Sequence, residues 1–150
     1  MSHLAHIKVL AVIGIAASSL SCLAAPDKIA YELAERCGKQ ASAEFKREFG
    51  AVGVPVTQSG TTSLHSFQNH YNSKLNACIY LIRSNGFASV KGKKARGHEM
   101  QALYDLNENK EFGTYFKFSD SSALMQCQVG GKTCLSKEEW EALIKPYLEE

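Results

Sequence analysis

The sequence lacks a large excess of charge of either sign. It carries 17 Lys and Arg residues against 15 Asp and Glu residues, so the chain is close to neutral at pH 7. A near-neutral chain gives no electrostatic reason for an obligatory anionic partner, and we therefore expect no nucleic acid. The sequence also has no low-complexity tract and no internal repeat, which argues against a repeat architecture.

Long hydrophobic runs are missing as well. The longest apolar stretch covers residues 9–20, whereas about 20 apolar residues are needed to span a membrane as a helix. This stretch follows the basic residue Lys8 and precedes small residues near Ala24 and Ala25, which is the pattern of a cleaved signal peptide. The sequence therefore predicts a signal peptide at residues 1–25, a single domain at residues 26–150 without a transmembrane segment, and a periplasmic or secreted location.

Cys22 leaves an alternative open for the mature N-terminus. The stretch Ser19-Leu20-Ser21-Cys22 is similar to the site at which bacterial lipoproteins are cut and acylated, although its leucine lies one place too near the cysteine. We expect ordinary cleavage, and we keep lipid anchoring through Cys22 as the alternative.

Four cysteines follow the predicted signal peptide: Cys37, Cys78, Cys127 and Cys134. An even count in an exported chain predicts two disulfides, for which three connectivities exist. Cys127 and Cys134 lie symmetrically about Gly130-Gly131, so a glycine-turn hairpin would bring them within disulfide reach. This favours Cys127 with Cys134 and Cys37 with Cys78. Zinc sites usually contain close C-x2-4-C pairs, which this chain lacks, so we expect no metal.

The first half of the predicted domain contains a helix and a hairpin. Apolar residues recur every four positions across residues 26–49, which predicts a helix. Residues 64–71 and 75–82 predict two paired strands with a turn at Asn72-Ser73, because residues 75–82 alternate between two faces. A short edge strand is expected at residues 52–56, a turn at Ser84-Asn85-Gly86, and a further short strand at residues 87–90.

The second half contains a second hairpin, a last strand and a helix. Residues 98–105 and 111–118 predict the hairpin, and residues 123–129 predict the last long strand. The row Phe112, Thr114, Phe116 and Phe118 is expected to pack under a helix. Ser136 and Glu139 form a capping box that opens the C-terminal helix, with Leu135 and Trp140 as a hydrophobic staple.

Together these elements predict the α+β class. We expect an antiparallel sheet of about four to five strands with an N-terminal and a C-terminal helix, both on one face of the sheet, stapled by the disulfides.

Two groups of side chains are candidates for binding. Tyr71 and Tyr80, with nearby asparagines, are of the kind that form exposed polar–aromatic surfaces for sugars or proteins. A basic cluster is the second candidate, because it could hold an anionic partner. Its members are Lys91, Lys93, Lys94 and Arg96.

Catalytic and calcium motifs are incomplete. The stretch from Asp105 begins like a calcium loop but has Lys110 at its sixth position and Phe116 at its twelfth, so we expect a plain hairpin tip. The chain has no H-E-x-x-H pattern and no serine elbow, and no cofactor is expected. Three histidines follow the predicted signal peptide, and acid–base chemistry by them stays an alternative. They are His65, His70 and His98.

Three stretches together resemble small exported bacterial proteins of unknown function: HYNSKLNACIYLI, DLNENKEFGTYFKF and the cysteine-bearing C-terminal helical segment. The resemblance covers most of residues 26–150 and carries no catalytic motif, so it implies an exported, compact domain only. We expect a non-enzymatic domain that binds a protein or a cell-envelope component, for example as an inhibitor of a foreign hydrolase. A small secreted hydrolase and a structural envelope lipoprotein are the alternatives.

Overall fold

A computed structural model describes residues 28–88 and 96–149. Two helices enclose one antiparallel sheet, whose strands are hydrogen-bonded in sequence order. The elements are α1 (Lys28–Phe49), β1 (Val56–Gln58), β2 (Thr61–Asn72), β3 (Ala77–Ala88), β4 (Arg96–Asp105), β5 (Lys110–Phe118), β6 (Leu124–Val129), β7 (Lys132–Thr133) and α2 (Lys137–Leu148). No helix within these residues is long and apolar enough to cross a membrane. The predicted signal peptide, Cys22 and Lys91, Lys93 and Lys94 lie outside the described residues.

The sheet has seven strands rather than the predicted four to five. The two short outer strands, β1 and β7, account for most of the difference, because each pairs with only a few residues of its neighbour. The expected turn at Ser84-Asn85-Gly86 is wrong, since β3 continues through it. Gly86 serves a close approach instead: a Cβ there would lie 2.4 Å from His98 Cε1 and 2.5 Å from Ser63 Oγ.

The two helices pack on opposite faces of the sheet, which corrects the expectation of one shared face. Ile79 and Leu81 of β3 belong to a buried cluster with Trp140 and Ile144 of α2. Tyr80 and Ile82, the alternate residues of the same strand, belong to a second cluster with Ala41 and Phe45 of α1. Because β3 has buried residues on both of its faces, it is covered on both sides. The sheet is therefore the central layer of a three-layer domain.

A β-bulge divides the predicted aromatic row of β5. Leu103 pairs with Gly113 and Tyr104 with Glu111, so Phe112 is the extra residue between two ladder pairs. Phe112 therefore turns to the α2 face, where its ring lies 5.0 Å from that of Tyr147. On that face Tyr115 also packs against Trp140. The other members of the row lie on the opposite face, so the prediction that one row packs under a helix is wrong.

Both disulfides have the predicted pairing. Cys37 of α1 is bonded to Cys78 of β3, with their Cα atoms 5.3 Å apart. Cys127 and Cys134 are bonded across the hairpin of β6 and β7, with their Cα atoms 5.0 Å apart. Gly130 and Gly131 in that turn both have positive φ, a conformation that glycine adopts without steric cost. The first bond fixes α1 to the central strand.

The start of α2 confirms the predicted N-cap but not the staple. The Glu139 amide donates to Ser136 Oγ at 3.1 Å, while the Glu139 carboxylate accepts from the Leu135 amide at 2.7 Å. Trp140 is buried and donates from Nε1 to Gln101 Oε1 at 3.0 Å. Leu135 is 85% exposed and does not contact it as a staple would. The disulfide holds Cys134, the preceding residue, inward, so the side chain of Leu135 faces water.

Candidate functional site

The outer side of β2 is an open strand edge. β1 pairs with β2 only at residues 61–63, and β3 occupies the inner side along the whole strand. Within the described part of the chain, no strand pairs with the outer side of residues 64–72, which we call the open edge. An unpaired edge presents a row of backbone donors and acceptors that another extended chain can use.

The direction of these backbone groups follows from the register of the sheet. The Leu106 amide donates to the Cys78 carbonyl oxygen at 2.9 Å, so Cys78 directs its backbone groups toward β4. Tyr71, its cross-strand neighbour in β2, consequently directs its N–H and C=O away from β3. By the two-residue alternation, the residues of the open edge whose backbone groups face outward are His65, Phe67, Asn69 and Tyr71. No backbone hydrogen bond from a described residue reaches them.

The sequence of the open edge contains none of the usual protective features. Residues 64–72 include no charged residue, no proline and no glycine. Natural edge strands are usually short, or carry lysine, proline or a bulge that prevents pairing with another chain. Both register shifts described in this sheet lie in the β4–β5 and β5–β6 pairs, not beside β2. The open edge is therefore long, regular and chemically suited to strand pairing.

A groove lies beside the open edge on the α1 face. Phe67 projects to this face, where its ring stacks on that of Phe45 with the centroids 4.8 Å apart. Beyond them, the loop after α1 brings Val52 alongside, and a cavity of about 450 Å³ remains, which we call the helix-1 groove. Its lining is apolar apart from Ser42 and Lys46. The full lining is Ser42, Phe45, Lys46, Gly50, Ala51, Val52 and Phe67.

A second groove lies beside the same edge on the α2 face. Gln68, the residue after Phe67, projects to this face and accepts a hydrogen bond from Arg83 at 3.1 Å. The C-terminal half of α2 forms the other wall and encloses about 330 Å³, which we call the helix-2 groove. Lys145 and Glu149 form an ion pair of 3.5 Å in this wall. The full lining is Gln68, Arg83, Glu141, Ala142, Ile144, Lys145, Leu148 and Glu149.

The two predicted tyrosines lie on one face of the sheet in different environments. Tyr71 belongs to the open edge, is half-buried and donates from its hydroxyl to Asn76 Oδ1 at 2.7 Å. Tyr80 is only 1% exposed, so it does not line an exposed surface as we expected. Burial raises the pKa of the Tyr80 hydroxyl, because the phenolate would lose its water. The Tyr80 side chain belongs to the core beneath α1.

Arg96 is the one member of the predicted basic cluster within the described residues. Its Nε donates to Asp120 Oδ1 at 2.8 Å, and its guanidinium carbon lies 3.6 Å from the centre of the Phe118 ring. These contacts hold Arg96 against the end of β5, which is separated from β2 by two strands of the sheet. A cation over an aromatic face contributes about 0.5–1 kcal/mol at exposed sites, so a local packing role accounts for this arginine.

The three histidines separate into a pair and a single residue. His65 and His98 lie on the α1 face, where His65 pairs with Ser84 and His98 with Gly86 of β3. Each ring contacts a phenylalanine: Phe49 for His65, Phe116 for His98. Burial, and then the nearby His98, lower the pKa of His65. His70 pairs with Ile79, on the α2 face. The three histidines therefore do not converge on one site, because His70 lies on the face opposite His65 and His98.

The predicted hairpin tip after Asp105 is confirmed. Asp105 Oδ1 accepts from the Asn107 amide at 2.9 Å, which is the local bonding typical of an Asx turn. Asn109 adopts φ of 49°, a left-handed conformation that asparagine tolerates. Among residues 28–88 and 96–149, no group of three or more His, Cys, Asp or Glu side chains is arranged to hold a metal ion.

The open edge was not among the predicted sites, although the sequence carried a signal for it. The prediction of a strand at residues 64–71 does not specify which strand, if any, pairs with its outer side. The absence of charge and proline in that strand marks it as an edge that is not protected. The grooves had no local signal, because each combines a helix with residues distant in sequence.

Comparison with known proteins adds no relative: no protein-family model, no curated protein and no solved structure matches this chain.

Proposed function

We propose that this protein is an exported, disulfide-stabilised binding domain without catalytic activity, which captures an extended segment of a partner protein by pairing it with the open edge of β2. The observation that supports this proposal is the outer side of residues 64–72, a stretch that has no Asp, Glu, Lys or Arg and whose outer side pairs with no strand of the described residues. Strand addition of this kind supplies affinity through main-chain hydrogen bonds, so the edge itself provides the essential chemistry.

The number of available backbone groups is large enough for specific binding. The four outward-facing residues offer four N–H donors and four C=O acceptors. Each hydrogen bond formed contributes roughly 0.5–1.5 kcal/mol net of water, and ordering the incoming chain offsets part of this gain. The rigid sheet reduces the remaining cost, since the Cys37–Cys78 disulfide and two helices hold β3 behind the edge. The two disulfides also support an oxidising compartment, periplasmic or extracellular.

Two substitutions at Asn69 test the role of the edge. Asn69→Pro removes an outward N–H and places a ring where the partner strand would lie, while the β2–β3 ladder keeps its bonds. Asn69→Ala removes the same side chain, which approaches Cys37 Sγ at 4.0 Å, but keeps the amide. The two variants therefore differ mainly in whether residue 69 keeps its outward-facing N–H.

The probe is a phage-displayed library of random nine-residue peptides, selected on the purified protein with both disulfides intact. We expect enriched peptides that bind the Asn69→Ala variant within about twofold of the wild-type protein and the Asn69→Pro variant at least about tenfold more weakly. Circular dichroism and thermal unfolding of both variants establish that each is folded. Failure to enrich any peptide, or enrichment of peptides that bind both variants equally, would refute strand capture.

A further inference from the structure

We infer that the captured segment has a large apolar side chain between two polar neighbours, because the helix-1 groove and the helix-2 groove lie on opposite faces of the open edge at adjacent residues. This inference rests on the proposed function and adds the sequence pattern of the partner. Successive side chains of a strand point to opposite faces of a sheet, so a strand paired with β2 would extend the alternation of β2 itself.

The level of each groove along β2 defines which partner residue enters it. Phe67 lines the helix-1 groove and Gln68 lines the helix-2 groove. A partner residue opposite Phe67 therefore directs its side chain to the helix-1 groove, and its two neighbours direct theirs to the helix-2 groove. The partner residue opposite Phe67 thus meets mostly apolar walls, and its two neighbours meet the charged and mixed walls of the helix-2 groove.

The chemistry of the helix-1 groove selects the apolar residue. Its floor is formed by the stacked rings of Phe45 and Phe67, and Val52 on its rim is 59% exposed. A large aliphatic or aromatic side chain placed there would cover these groups and remove its own apolar surface from water. The only charged lining residue is Lys46, so an aromatic ring is accommodated and a lysine or arginine is disfavoured.

The helix-2 groove selects its occupants less strictly. Its charged residues are two cations, Arg83 and Lys145, and two anions, Glu141 and Glu149. Because these charges are balanced, the groove favours neither an acidic nor a basic side chain. Residues such as Thr, Asn or Gln suit it, since they can hydrogen-bond the charged groups and contact Ala142, Ile144 and Leu148. A polar–apolar–polar order is the resulting pattern.

A second copy of this chain does not have the side chains to fill the grooves. If the open edges of two copies paired, the incoming strand would be another β2. Its Phe67 is already stacked on its own Phe45, and its Gln68 is bonded to its own Arg83. The occupant must have free side chains on both faces, which is a property of an extended segment outside a folded sheet.

Two valines in the loop after α1 provide a matched pair of test variants. Val52 lines the helix-1 groove and Val54 does not, yet the two are 59% and 53% exposed. Val52→Asp places a charge in the apolar groove, whereas Val54→Asp adds the same charge two residues away. Neither change removes a buried side chain, so both variants should fold.

The probes are the selected peptides that bind the Asn69→Ala variant but bind the Asn69→Pro variant weakly. Synthetic copies of these peptides, in which the apolar residue that they share is replaced by Ala, are measured beside them. We expect one position of the selected peptides to be Phe, Leu, Ile, Met, Tyr or Trp, with polar residues on both sides. Val52→Asp and the Ala copy should each weaken binding at least about tenfold, and the two changes together should cost little more than either alone. Val54→Asp should leave the affinity within about twofold.

The possible failures of this test are distinguishable from those of strand capture. Suppose that the selected peptides require the residue-69 amide and yet show no shared apolar residue and bind the Val52→Asp variant normally. This result would overturn the inferred pattern and leave strand capture intact. Sedimentation velocity tests the competing occupant: a wild-type dimer that Asn69→Pro converts to monomer would also overturn the inference, because the edge would then belong to a second copy.

Discussion

Replacement of Asn72 by alanine should destabilise the domain by an amount that the structure allows us to estimate. Asn72 lies at the end of β2, is fully buried, and connects the first hairpin to α2. Its Nδ2 donates to the carbonyl oxygens of Pro146 at 2.9 Å and Tyr147 at 3.3 Å, in the last turn of the helix. Its Oδ1 accepts from the Leu75 amide at 3.0 Å. One side chain therefore satisfies three backbone groups.

Each of these hydrogen bonds contributes roughly 0.5–1.5 kcal/mol net, so Asn72→Ala should lower the free energy of unfolding by about 3 kcal/mol and the melting temperature by roughly 10 °C. Asn72→Asp should cost more at neutral pH. A carboxylate cannot donate a hydrogen bond, and it would lie buried against two carbonyl oxygens. Because protonation restores a donor, the deficit of the Asp variant should shrink as the pH falls.

Urea denaturation followed by far-ultraviolet circular dichroism measures these free energies. Asn85→Ala is the control, because Asn85 is exposed on the neighbouring strand β3, and this change should stay within about 0.5 kcal/mol of wild type. The reasoning about Asn72 is refuted if Asn72→Ala is as stable as the control, or if the Asp variant equals the Ala variant at pH 7.

The other predictions concern the disulfides and one histidine. Replacing Cys37 and Cys78 together by Ala should cost about 4 kcal/mol in the chain-entropy model, because the bond joins residues 41 apart. The same change at Cys127 and Cys134, which are 7 apart, should cost roughly 2 kcal/mol, and equal losses in urea denaturation would contradict this ranking. His65 has a lowered pKa in the folded state, so the unfolded chain binds more protons and stability should fall as the pH drops below about 6.5, then level off below the folded pKa. His65→Gln should reduce this slope between pH 7 and 5, and an unchanged slope would assign the effect to other groups.

The features predicted correctly from the sequence depend on residues close together in the chain. The second hairpin is observed within two residues of its predicted ends, since its strands flank a short loop of turn-forming residues. The Cys127–Cys134 bond follows from a glycine turn placed midway between the two cysteines. Ser136 caps α2 because its hydroxyl accepts from an amide only three residues away.

The features predicted wrongly depend on which surfaces meet. Residues 75–82 alternate on two faces, but the periodicity does not tell whether one helix or two will cover them, and both faces proved to be buried. Phe112 changes face because one ladder position of β5 holds an extra residue, which no period-2 pattern reveals. Tyr80 was expected at the surface and lies in the core, because α1 crosses the strand at that level.

By itself, the sequence determined the class of the domain and the absence of Asp, Glu, Lys and Arg along residues 64–72, since these depend on composition and local pattern. It also determined the Cys127–Cys134 bond, which spans a short turn, and thereby left Cys37 to pair with Cys78. Only the tertiary structure decided that β1 ends after three pairs, so that no described strand pairs with the outer side of residues 64–72. It also decided that α1 and α2 approach the same edge from opposite faces and form the two grooves. The physical reason is that edges and grooves depend on how whole elements pair and pack against one another, which local propensity does not encode.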